Sequence, residues 1–185
     1  MAYEFNFEFS LSHKSMQELV KEIKRYEKEL NKAKDYILQA LADYTYERVL
    51  YYIQESTGHT SYIPTGTLMS SIQKSPIIQN TIKVYTNLAY AKFVEFGTGV
   101  TGSKKPHPET SIHGWAYGTA PHKYTNKKTG LEYETEGWYY KGEDGQVHYT
   151  KGLEPHLFMY RAREDVKENY LQIAKKALKE RGLIK

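Results

Sequence analysis

LAYAKFVEFGTG, residues 88–99, is the stretch around which the rest of the chain organises. It is too short for a full helix, yet its apolar spacing fits about two helical turns ending at Gly97. Tyr90, Phe93 and Phe96 recur every three residues and are expected to bury one side of that turn, with Ala91 and Val94 between them. Glu95 is the single carboxylate in this apolar, glycine-bounded segment. Its expected role is structural: a hydrogen bond to a neighbouring backbone, or a pairing across a subunit boundary. Gly97 and Gly99, on either side of Thr98, permit positive φ or a close backbone approach.

Working outward on the N-terminal side, residues 64–72 read PTGTLMSSI and follow a loop punctuated by Gly58 and Pro64. Leu68–Ser75 and Ile77–Thr86 read as two β-type runs with Pro76 between them and a turn or bulge at Asn80. Farther upstream, Leu19, Ile23, Tyr26, Leu30, Ala33, Ile37 and Leu41 recur at spacings of three and four, one apolar helical stripe that continues towards Gly58. Ser12 or Ser15 can cap this helix, and Ser15 with Glu18 matches a capping box. Some 40 residues are long for one globular helix, so a break is expected near Asn31. Residues 14–55 hold eight basic and eight acidic side chains, the pattern of a solvated outer face. Tyr3, Phe5, Phe7 and Phe9 alternate with Glu4, Asn6 and Glu8, the period of a half-buried strand.

On the C-terminal side the composition changes. Nine of the 13 glycines and both tryptophans lie in residues 99–152. WYYK, GEDG and QVHYT (138–150) read as a hairpin around a glycine-bounded turn, and KYTN, KKTG and LEYET as a second one. Residues 100–151 are therefore expected to form a β-rich, Gly- and aromatic-rich insertion within a single domain spanning 1–185. From Pro155 to Arg181 the chain is helical again, with Phe158, Ala162, Val166, Tyr170, Ile173 or Ala174, and Ala177 as its apolar stripe. Residues 151–185 carry nine basic and five acidic side chains, so this end supplies the whole net charge of +4. The fold class expected is α+β: a small antiparallel sheet packed against a long N-terminal helical region and a C-terminal helix, with a β-hairpin insertion.

Several function classes are narrowed by composition. With 39% hydrophobic and 26% charged residues the chain is an ordinary globular sequence. No apolar run approaches the length of a membrane span, and the N-terminal MAYEFNFEFS has no signal-peptide pattern. Cysteine is absent, which removes disulfides, thiolate metal sites and a cysteine nucleophile. Eighteen tyrosines against six phenylalanines suit surfaces that are apolar on one side and wet on the other. Of the seven histidines, His107, His122 and His156 adjoin prolines, and none shows the i, i+4 pairing of a zinc helix. Exposed or turn-capping roles are expected for them, with no cofactor and no metal. GTGVTG lacks the Lys-Ser/Thr of a phosphate-binding loop, and no G-x-S-x-G is present.

The segment YAKFVEFGTG, residues 90–99, resembles the diagnostic stretch of the tail-completion, or head–tail joining, family of tailed bacteriophages, whose pattern is Tyr-Ala, two residues, then Val-Glu-Phe-Gly-Thr. Tyr90, Ala91, Val94, Glu95, Phe96, Gly97 and Thr98 match it. PTGTLMSSI resembles the family's Thr-Gly-x-Leu-x-x-Ser-Ile segment, and GLEPHLFMYRA (152–162), with Pro155 and Phe158, resembles its approach to the last helix. Two positions depart: Met69 and Ser70 follow Leu68 where a basic residue is common, and Leu157 stands where Pro is frequent. The resemblance implies a virion structural protein at the neck–tail junction, made in the host cytoplasm, with no catalytic residue and no membrane. It implies rings, typically hexamers, that contact a head-closure or adaptor protein on one side and tail-tube or terminator subunits on the other. Trp138, Tyr139 and Tyr140 are the candidate interface residues in the insertion. Two other readings stay open: a small metal- or carboxylate-dependent hydrolase using Glu95 and nearby histidines, and a connector whose basic last helix meets DNA in the channel without sequence specificity.

Overall fold

The computed structural model describes residues 12–55, 66–141 and 145–184. The strand expected over residues 3–9, most of the 58–66 loop and the GEDG turn lie largely or wholly outside these residues.

One helix, α1 (His13–Glu55), dominates the chain. Ser12 caps it: the Ser15 amide donates to Ser12 Oγ at 3.1 Å and the Met16 amide to Ser12 O at 2.9 Å. Of the two serines it is thus Ser12 that caps, and the Ser15–Glu18 capping box does not form the helix start. Nor does the helix break near Asn31. No Gly or Pro occurs between His13 and Glu55, and the residues around Asn31 are Lys, Glu, Leu and Ala, strong helix formers, so nothing there disfavours continuation.

The C-terminal helix α5 (Phe158–Glu180) lies antiparallel against the second half of α1. Three contacts fix this direction. Arg161 reaches Glu55 at 2.6 Å, Arg48 reaches Asp165 at 2.5 Å, and the Arg181 guanidinium sits 4.7 Å from the Tyr36 ring centre. The middle contact is a triad. Tyr52 Oη donates to Asp165 at 2.7 Å and accepts from Arg48 at 2.7 Å, and burial together with Asp165 holds the Tyr52 phenol above its usual pKa.

The core sits where this helix pair meets the intervening chain: Val49, Tyr52, Ile53, Leu68, Ile72, Ala91, Val94, Phe158 and Ala162 form one buried cluster. Leu68–Ser71 is not the start of a strand as expected. Thr67–Ser70 is a helical turn, α2, introduced by Gly66 at φ 75°, which drops Leu68 into the core. The two β-type runs contribute only β1 (Gln73–Lys74) and β2 (Val84–Tyr85). These pair antiparallel around a tight turn in which Gln79 and Asn80 both have positive φ and Ile78 and Thr81 exchange backbone bonds at 3.0 Å. This hairpin lies on α1, held by the Lys74–Asp43 ion pair and a 2.5 Å bond from Lys34 to Asn80.

The chain then forms α3 (Ala91–Phe96) and α4 (Gly99–Lys104), an irregular stretch to residue 121, and two antiparallel hairpins. The first joins β3 (His122–Thr125) to β4 (Glu132–Thr135), the second β5 (Trp138–Lys141) to β6 (Val147–Thr150), where the turn sequences placed them. The α+β class stands, with three two-stranded ribbons among the described residues in place of one sheet. In α5 the buried positions are Phe158, Ala162 and Ala177, whereas Tyr170, expected in the apolar stripe, is half-exposed on the outside.

Phe158 is fully buried at the point where α1, α3 and α5 converge. Phe158→Ala is expected to cost about 3 kcal/mol or more, because the cavity opens between three separately fixed elements that cannot collapse together. Equilibrium denaturation of the purified chain measures it.

Candidate functional site

The 90–99 motif and the start of α5 are stitched together from both sides. The end of α3 leaves carbonyls without helical partners, and the start of α5 leaves amides without them. His156 N donates to Val94 O at 3.0 Å and Leu157 N to Glu95 O at 3.3 Å, which satisfies the first set. The second set is met by the Glu95 side chain. Oε2 accepts from Met159 N and Oε1 from Tyr160 N, both at 2.9 Å. No cap is available from α5's own flanking residue, Leu157. A carboxylate 64 and 65 positions before these two amides therefore caps α5, where its charge also meets the positive end of the helix.

A third donor completes Glu95. His107 Nε2 lies 3.1 Å from Oε1, and His107 Nδ1 accepts the Glu109 amide at 3.0 Å, which places the ring proton on Nε2, facing the carboxylate. Both residues are buried. The turn-capping role expected for a proline-flanked histidine is therefore present at His107, whose burial was not foreseen. The other buried histidine, His156, has its pKa pushed below the usual value by burial.

Gly97 is required twice over. Its φ of 75° with ψ of 173° falls in a region essentially confined to glycine, and a Cβ there would lie 2.6 Å from Leu153 O. The close approach exists because Thr98 and Leu153 exchange backbone bonds at 2.8 and 3.1 Å. The two ends of the 100–151 segment are thereby pinned side by side. The first part of that segment packs back onto the motif: Trp115 Nε1 donates to Gly97 O at 3.0 Å, the Trp115 ring stacks on Phe96, and Tyr117 O accepts the Gly99 amide.

Phe93 does not lie on the buried side as expected. It is 42% exposed, edge-on to Trp115, because α3 turns Ala91, Val94 and Glu95 inward. Tyr90 and Phe96 are partly buried. Pro155 lies against Gly97 and Phe158 in the core. Trp138 is half-buried near His122, whereas Tyr139 and Tyr140 are exposed, so the motif residues are gathered at one place and the insertion aromatics at another. Leu157 has φ 58° and donates its amide to Glu95 O. Proline, with φ near −65° and no N–H, can do neither, so this backbone does not admit the proline that the resemblance leads one to expect here.

A depression of about 320 Å³ opens over the stitched region, lined by Lys92, Glu95, His107, Glu109, His113 and Arg163 among others. Arg163 binds Glu109 at 2.7–2.9 Å and holds its carboxyl below the ordinary range. Among the described residues, no three His, Asp or Glu side chains are placed to hold a metal ion. His107, Trp115 and the Arg163–Glu109 pair were not singled out as parts of this site from sequence; Pro106–His107–Pro108 was the one signal that pointed to any of them.

Residues 17–97 match the family described as "Bacteriophage HK97-gp10, putative tail-component". The match runs from α1 to Gly97 and supports a tailed-phage tail-component family. No curated protein and no solved structure matches.

Two substitutions read out the site. Glu95→Gln turns one acceptor oxygen into a donor facing donors, and is expected to cost about 1–3 kcal/mol in chemical denaturation. Gly97→Val is expected to cost more than about 1 kcal/mol, through strain and the Leu153 clash, and to lower the melting temperature.

Proposed function

With residues 17–97 in a tailed-phage tail-component family as the premise, we propose that this chain is a ring-forming virion protein that joins head and tail at the neck, acting by surface complementarity. The family match carries the reading. It suggests a structural protein, and the geometry of Glu95 agrees. Both oxygens of that carboxylate are engaged by a backbone amide or by His107, which supports a role in rigidity. Among the described residues, no helix is long and apolar enough to cross a membrane.

In this reading the 90–98 motif and the Pro155–Phe158 approach hold the scaffold, and the hairpins carry recognition. Tyr139 and Tyr149 stand on one face of the β5–β6 ribbon and Tyr140 with His148 on the other, all three tyrosines exposed, as is Tyr133 on β4; aromatic faces with polar tips of this kind suit contact with another ring or subunit. The partners proposed are further copies of the chain, a head-closure or adaptor protein, and a tail-tube or terminator protein.

The test is complementation of a phage lacking this gene by Tyr139→Ser/Tyr140→Ser, viewed by electron microscopy. Separate heads and tails, from a variant whose melting temperature is within a few degrees of the parent, are expected. Normal particle yield would remove the hairpins from the interface. Turnover of any substrate that disappears with Glu95→Gln would overturn the structural reading itself.

A further inference from the structure

Hairpin β1–β2 is open along one edge. Ser75 N donates to Lys83 O and Lys83 N to Ser75 Oγ, both at 2.9 Å, and Ile78 and Thr81 exchange backbone bonds, so Thr81, Lys83 and Tyr85 turn their backbone groups towards β1. Ile82 and Val84, between them, turn theirs away, and no described residue meets them. The edge of β1 is blunted instead: Pro76 has no N–H, and its carbonyl already accepts from Ser75 Oγ. Beside the open edge lies a depression of about 280 Å³, walled by Leu38, Leu41 and Ala42 of α1, by Ile82 and Val84, and by Met159 of α5. It exceeds the roughly 150 Å³ that encloses a benzene ring. An unpaired edge over an apolar hollow receives one more strand, provided that every second side chain of that strand is nonpolar.

Residues 3–9 carry that pattern in sequence, Tyr3, Phe5, Phe7 and Phe9 alternating with Glu4, Asn6 and Glu8. Charge agrees with the pairing. Residues 1–12 hold two acids and no Lys or Arg, whereas the stretch from Ser56 to Val94 has no Asp or Glu and contains Lys74, Lys83 and Lys92. The faces agree as well. Lys74 shares the Val84 face of the hairpin and pairs with Asp43 of α1, so that face looks inward. Lys83 stands exposed on the other face, and no described residue pairs with it. A strand that seats its aromatic side chains beside Ile82 and Val84 thus lays Glu4 and Glu8 on the side of Lys83. Reach decides whose strand it is. Every residue from Ser12 to Lys32 is exposed, so the first half of α1 projects from the core. Leu38, the first α1 residue to line the hollow, is 26 positions from Ser12, about 39 Å along the helix. Tyr3 is nine positions before Ser12, at most about 32 Å when fully extended. The segment cannot return to the edge in its own chain.

We propose that residues 3–9 of one copy add as a third strand to the outer edge of β2 in a second copy, with the aromatic side chains over the hollow and the acids beside Lys83. Donor segment and acceptor edge differ, so the contact is heterologous and propagates until it closes. Its role in the particle rests on the ring reading; the contact itself rests on edge, hollow, charge and reach, and its test needs only purified chain.

The absence of cysteine makes that test direct. Full-length chains carrying Asn6→Cys are mixed with differently tagged chains carrying Lys83→Cys and treated with a short bis-maleimide. Crosslinks between the two chains are expected, and few when Leu171→Cys, at an exposed position of α5, replaces Lys83→Cys. Phe5→Ser/Phe7→Ser is expected to weaken association by roughly tenfold or more in light scattering, with helix content by circular dichroism unchanged. Glu4→Lys/Glu8→Lys is expected to weaken it at low salt, and adding Lys83→Glu to that variant to restore part of it. A serine variant that associates like the parent, an oligomer without crosslinks between positions 6 and 83, or a parent chain that stays monomeric at high concentration would each overturn the proposal. The first two of these outcomes leave the ring reading standing. Crosslinked oligomers of a chain whose loss leaves phage heads and tails joined would support the strand exchange and count against the head–tail reading.

Discussion

The Glu95 carboxylate at the start of α5 is the interaction on which the remainder of the architecture rests. Helix α5 begins after a residue in a left-handed conformation and without a capping side chain of its own. Its first amides lie beside a buried phenylalanine, where an unmet donor is costly. Glu95 meets two of them, and the amides of His156 and Leu157, just before α5, meet two carbonyls at the end of α3. Because α5 covers the second half of α1, this one side chain couples the motif to the helix pair that forms most of the fold. Burial of the carboxylate is tolerated because each oxygen has donors and the helix end supplies positive potential.

The same constraint organises the segment between α3 and α5. His107 is drawn in as the third donor, and the chain leading to and from it brings Trp115 and Tyr117 against Gly97 and Gly99. The segment read from composition as one insertion is thus two things in the structure. Residues up to about 117 complete the site, and the hairpins of residues 122–150 stand beyond it.

Legibility in the sequence followed the range of the forces involved. The two long helices, the short α3, both hairpins of the segment and the turn at Asn80 were readable, because periodicity and turn chemistry are local; α4, inside the segment read as β-rich, was not. The continuity of α1 through Asn31 was missed since a prior on helix length was set against a run of residues that contains no breaker. Leu68 was read as strand although its burial is produced by a helical turn that Gly66 introduces. The motif residues 90–98 were found, and a backbone bond was anticipated for Glu95. Its amides, on the far side of the segment at 159 and 160, were not, nor was His107 as its partner. Those contacts are defined by tertiary closure, for which a single sequence holds no periodic trace. Phe93 shows the converse error: three aromatic positions three apart suggest one face, but on a turn this short the small residues Ala91 and Val94 set which side faces in.

The paired backbone bonds of Thr98 and Leu153 have a consequence for how the chain can vary. They close the excursion at its base, so whatever lies distal to Tyr117 is relieved of any duty to bring the core together. Closure entropy rises only with the logarithm of loop length, about 0.6 kcal/mol for each doubling. Ribbons grafted onto that base can therefore lengthen, shorten or be exchanged wholesale at small thermodynamic expense, which leaves the distal part of the excursion open to diversification around a fixed clasp.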